Sequence, residues 1–146
     1  MRDMDAEDYG AQRALPIDAT LLSAVLLRMR RDASGRMARW TLGERGAMEL
    51  DVHFSPVPTT PGVSGPVWRS TGRLWDPDRL GLAPITVEVL ANAADECGLQ
   101  LLPEAPLQPW WQERTAALVA LANAAIDELA EELLWHASRI DIAQPS

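Results

Sequence analysis

At 146 residues with a formal charge of −8, the chain has room for one domain and repels phosphate backbones and anionic lipid, which argues against a nucleic-acid partner. A hydrophobic share of 47% excludes wholesale disorder, and a single cysteine excludes an internal disulfide or a cysteine-based zinc cluster. No run of about 18 apolar residues is present, so no membrane-spanning helix is expected. The acidic start MRDMDAEDYG lacks the apolar core of a secretory leader, which makes a cytoplasmic protein the expectation.

Residues 1–15 read as a disordered acidic tail, and residues 16–140 as a single α+β domain. In PIDATLLS, Pro16 followed by Asp18 can open a helix. The following AVLLRMRR alternates Val25, Leu27 and Met29 with Leu26, Arg28 and Arg30, which predicts a strand over 24–31. DASG then marks a turn. Arg28, Arg30, Arg31, Arg36 and Arg39 form the densest basic group, where a local anion would bind if one binds at all.

Strands are predicted over 36–42 and 47–54, joined by the glycine-bracketed loop GERG. In the first, Ala38, Trp40 and Leu42 share a face. In the second, Met48, Leu50, Val52 and Phe54 point one way, and Glu49, Asp51 and His53 the other. SPVPTTPGVSGP, residues 55–66, is too rich in proline and glycine for regular structure. A strand over 67–75 follows, with Trp68, Ser70, Gly72 and Leu74 on one side. Gly72 in mid-strand suggests a bulge or bend.

ITVEVLANAADECGLQLLP, residues 85–103, admits two readings. A helix would stripe Val87, Leu90, Ala94 and Cys97 and cap at Gly98. The β-branched start ITVEV favours strands over 84–91 and 97–102 with a turn between them. A helix is predicted over 109–138, with Trp111, Leu118, Leu121, Ala122, Ala125, Ile126, Leu129 and Leu133 at helical spacing and Glu113, Asp127 and Glu131 opposite. At about 1.5 Å per residue such a helix spans a whole small sheet. Residues 141–146 read as a tail. The expected fold is thus a curved antiparallel meander of about six strands covered by one long C-terminal helix.

STGRLWDPDRLGLAPITVEVLANAADECGLQLLPEAP and the following PWWQERTAALVALANAAIDELAEELL resemble the START-like, polyketide-cyclase (SRPBCC, helix-grip) superfamily over about residues 24–138. The shared features are paired late strands, a proline-containing exit and a long terminal helix over a curved sheet. The resemblance implies a cavity for a hydrophobic ligand between helix and sheet. The family opens with a strand and two short helices, and the stretch before residue 24 is too short for all three. An incomplete grip, or one completed by a partner chain, is therefore expected.

No catalytic motif is present, and no cofactor or metal is implied. Cys97 beside Glu96 has its thiolate disfavoured, which makes a structural cysteine. Asp51 and His53, alternate residues on one strand face, could cooperate in an enzyme if they faced the cavity. Glu132 and His136 stand one helical turn apart and read as a stabilising pair. Six tryptophans dominate the aromatic residues, which points to aromatic surface as the ligand-binding element. The cavity candidates are Trp40, Leu50, Val52, Phe54, Trp68, Leu74, Val87, Trp111 and Leu118. Trp75, Trp110, Leu134 and Trp135 are candidates for an interface with a second copy or a protein partner. The expected function is a small non-enzymatic module that binds a hydrophobic or lipid-like molecule. The alternative is an acidic dimer resembling type III secretion chaperones, which requires helices over 17–31 and 85–97. A small cyclase- or hydrolase-like enzyme using Asp51 and His53 is the third reading.

Overall fold

The computed structural model describes residues 11–32, 39–43, 46–58, 66–75, 81–93, 96–104, 113 and 115–143. The protein is α+β. In chain order the elements are β1 (Ala11–Leu15), α1 (Ala19–Asp32), β2 (Arg39–Leu42), β3 (Met48–Asp51), β4 (Ser55–Pro56), β5 (Pro66–Trp75), β6 (Leu82–Ala93), β7 (Glu96–Pro103) and α2 (Thr115–Ala143). The sheet is antiparallel and curled, in the order β1-β7-β6-β5-β3-β2, with β4 paired to β5.

Register follows the apolar alternation. Leu42, Met48, Leu74 and Ala83 form one cross-strand row on the concave face, and Trp40, Leu50, Gly72, Ile85 and Pro103 the next. Both helices pack on this face. Leu22, Val25, Leu26 and Met29 of α1 join Leu118, Ala122, Ala125, Ile126, Leu129 and Leu133 of α2 in one core with the inner sheet residues. On the convex face the register aligns opposite charges, so Arg69 meets Glu88 and Arg73 meets Glu49.

The hairpin reading of 85–103 holds: β6 and β7 pair from Ile85↔Pro103 to Ala93↔Glu96. Helices over both 17–31 and 85–97, which a secretion-chaperone architecture needs, are therefore not both present.

Several expectations are corrected. The strand expected over 24–31 is the second half of α1. Leu22, Val25, Leu26 and Met29 recur at helical spacing and are all buried, whereas Leu27, which the strand reading put inside, is 49% exposed. Asp18 is the N-cap: its Oδ1 accepts the Leu21 amide at 2.7 Å. Ile17 before it and Leu22 after it both contact the core, as a hydrophobic staple does. Second, residues 11–15 are not a tail but the edge strand β1, paired along its length with β7. Its hydrogen bonds come from a strand far away in sequence, which a local pattern does not reveal. Third, α2 continues past residue 138 to Ala143, so 141–143 are helical. Its expected start at 109 lies outside the described residues, as do 1–10 and 144–146.

The second strand is also shorter than 47–54. Leu50 lies opposite Gly72, and Ser55 opposite Arg69. Four residues separate the first members of these pairs and only two the second, so two extra residues bulge the strand between β3 and β4. The Ser70 hydroxyl donates to the Asp51 carbonyl at 2.5 Å and closes the gap. Part of 55–66 is thereby regular after all, since β4 pairs with β5 and the Val57 amide donates to the Val67 carbonyl at 3.0 Å. Gly72 carries no bulge: pairing with β6 is regular from Trp68 to Trp75. It is there for close approach, because a Cβ at Gly72 would collide with the Glu49 carbonyl oxygen.

Candidate ligand-binding site

Concave-facing candidates fall into two groups. Leu50, Leu74, Val87 and Leu118 have no accessible surface, and Phe54 and Val52 keep 2% and 6%. Neighbouring atoms cover these side chains on every side, leaving no water-sized space beside the first four. Trp40 on β2 and Trp68 on β5 are different. Both lie on the concave face and pack against the core, yet remain only half-buried. Val52 and Phe54, both buried, belong to the bulged segment between β3 and β4. Among the concave-facing tryptophans described, Trp40 and Trp68 are thus the ones that keep some exposure. Trp110 and Trp111 lie outside the described residues.

The expected interface group is not one patch. Trp75 ends β5 on the convex face, and Leu134 packs against the core. Of the group's described members, Trp135 alone projects, 51% exposed, with the Arg139 guanidinium 4.2 Å from its ring centroid. His136 meets the Trp135 ring edge-on, at 4.8 Å between centroids.

α2 holds both edges of the sheet with consecutive residues. Arg13 on β1 donates to Asp127 at 2.7 Å, and the Gly43 amide just after β2 donates to Glu128 at 2.7 Å. Gly43 has a φ of +83°, and a Cβ there would stand 3.1 Å from the Ala125 Cβ. Only glycine gives both that conformation and that approach.

On the convex side the two-residue bulge opens a cleft of about 300 Å³, lined by Asp51, His53, Ser55, Pro56, Val57, Pro58, Arg69, Ser70 and Thr71. Asp51 Oδ1 accepts the His53 amide at 2.9 Å, which fixes the turn out of β3. The His53 Nδ1 stands 3.9 Å from the same oxygen, too far for a hydrogen bond. Asp51 and His53 are thus together, as their spacing suggested, but they line a convex cleft and not the concave interior. Arg69 is held by Glu88 Oε2, at 3.1 Å from Nε and 2.6 Å from Nη2. A smaller cleft of about 170 Å³ adjoins it, sharing Asp51 and Thr71 and lined also by Arg39, Glu49, Gly72 and Arg73. Sequence reasoning missed Arg69, Thr71 and Ser55 here. The signal was the β3–β5 pairing, which ends at Leu50↔Gly72 and leaves Asp51 and Thr71 lining the same clefts, and such pairing is not visible before the bulge is known.

Cys97 is fully buried on β7. Burial pushes its thiol pKa up, and the negative charges of Asp18 and Glu96 push it further, as expected for a structural cysteine. Among the described residues, no three of histidine, cysteine, aspartate and glutamate gather closely enough to hold a metal ion. No helix among them is long and apolar enough to cross a membrane. Comparison with protein-family models, curated proteins and solved structures finds no match to this chain.

Proposed function

We propose that the protein is a small binding module that takes a hydrophobic or lipid-like molecule on the concave side of its sheet, at the β2–β5 flank. The observation that carries this reading is the contrast along the concave face. Leu50, Leu74 and Val87 are wholly covered, while Trp40 and Trp68 pack against the same core and remain only half-buried. Partly accessible tryptophan in a concave apolar setting gives a ligand flat contact area at small entropic cost.

The helix-grip likeness is supported by the topology. A strand and a helix precede the meander, and β1 pairs with the last strand, so one strand and one helix stand where the superfamily has a strand and two helices. Two edges held on α2 also suit a fold in which helix and sheet enclose a ligand between them.

Titration with the uncharged apolar fluorophore N-phenyl-1-naphthylamine, read by tryptophan quenching, tests the proposal. Saturable one-site binding is expected. Trp40→Ala and Trp68→Ala each weaken it by about tenfold, ~1.4 kcal/mol, and Trp135→Ala leaves it unchanged. Quenching that does not saturate, or that all three variants leave alike, overturns the site.

A further inference from the structure

We propose that the convex cleft at the β3–β4 bulge is a second site, for an uncharged polyhydroxylated ligand of the mono- or disaccharide class. The cleft exists because of the bulge. Two extra residues lift the chain off β5 and turn His53 and Ser55 around a hollow of about 300 Å³. That volume is at the lower end of the roughly 300–1,000 Å³ common for small-molecule sites. Bulges commonly re-aim side chains at such places.

The charges around the hollow select the ligand. Arg69 is matched by Glu88, and Arg73 by Glu49, through hydrogen-bonded ion pairs. An anion approaching Arg69 meets the Asp51 carboxylate, and a cation approaching Asp51 meets Arg69. A hydroxyl group suits both, since it donates to a carboxylate and accepts from a guanidinium. Asp51 Oδ1 is taken by the His53 amide, which holds the carboxylate in place, and among the described residues no donor is bonded to Oδ2. Arg69 is fixed through Nε and Nη2, and among the described residues Nη1 has no acceptor. Rigid donors and acceptors lose little entropy on binding. Thr71, exposed and shared with the adjoining 170 Å³ cleft, adds a hydroxyl and a path for a second ring. Pro56, Val57 and Pro58 supply an apolar rim on which the C–H face of a sugar can rest.

The test is a titration of isotope-labelled full-length protein, followed by amide shifts. The probes are the methyl glycosides of glucose, galactose and mannose, and N-acetylglucosamine, each taken into the tens of millimolar. Sodium phosphate and butylammonium chloride serve as the charged comparators. At least one sugar is expected to give saturable shifts confined to residues 51–58 and 69–71. Asp51→Asn keeps an oxygen for the His53 amide but replaces the second acceptor with a donor, and it weakens that binding by about tenfold or more. Thr71→Val weakens it several-fold, and Trp40→Ala leaves it unchanged, which separates this site from the concave one. Absence of saturable shifts with all four sugars overturns the proposal. So does phosphate or butylammonium shifting the same amides at lower concentration, which would make the cleft an ion site.

Discussion

At Gly43 the chain leaves β2 in a left-handed conformation with the Ala125 Cβ close above it. Gly43→Ala therefore combines backbone strain with a clash, and a loss of about 1–3 kcal/mol in urea unfolding is expected. Gly72 has ordinary dihedral angles but no room: any Cβ there meets the Glu49 carbonyl across the β3–β5 pair. Gly72→Ala is expected to cost about 2 kcal/mol or more, since the obstacle is backbone and cannot rotate away. If urea midpoints of both variants match the parent, these close approaches are not present in solution. Cys97 makes a pH prediction. Its thiol is raised above the ordinary 9.0 by burial first and by Asp18 and Glu96 next. The folded state therefore keeps a proton that the unfolded state releases. The stability from this is fully present below pH 9.0 and is lost as pH rises from there through the folded value. Against Cys97→Ala, the parent is expected to lose stability faster as pH rises above 9.0, and parallel curves would refute the assignment. Tryptophan faces were legible at this scale, because Trp40 and Trp68 obey strict alternation with their neighbours. The polar cleft was not, because Asp51 and Arg69 meet only through a register that the bulge sets.

α1 shows what a short apolar stretch conceals. Val25, Leu27 and Met29 alternate, and so do residues of a strand; Leu22, Val25, Leu26 and Met29 also fit a helix, and local pattern does not choose between them. Two features settle it. Asp18 satisfies the Leu21 amide, and Ile17 and Leu22 anchor the first turn. Asp18→Ala is expected to lower stability by about 1 kcal/mol and to fray the first turn of α1 in hydrogen exchange. Unchanged protection at residues 19–22 would argue against the cap. The late hairpin was legible for the opposite reason, since β-branching in ITVEV favours a strand and the segments on both sides of the turn alternate. β1 is invisible in its own sequence because AQRAL neither alternates apolar with polar residues nor holds a β-branched one, and its strand state comes from β7.

Over the whole molecule, α2 contributes Leu118, Ala122, Ala125, Ile126, Leu129, Leu133 and Ala137 to the core, so without it only α1 is left to cover the inner face of the sheet. A chain ending at residue 114 is expected to lack a cooperative unfolding transition in circular dichroism, and a sharp transition would show that sheet and α1 suffice. Arg13 and Asp127 are both substantially solvent-exposed, so a double-mutant cycle between them is expected to return less than about 1 kcal/mol. The architecture of sheet plus covering helix followed from strand alternation and helix length alone. The joining of both edges to one helix did not, because it depends on how far the sheet curls.

That joining has a temporal consequence. A ribosome delivers β1 first, but its partner β7 emerges only after about 80 further residues, and Asp127 and Glu128 later still. Until then β1 has no strand to pair with and is open to pairing with any neighbour. Productive folding of this protein thus falls late in translation, and a ribosome stalled before Asp127 would hold a chain whose safest companion is a chaperone.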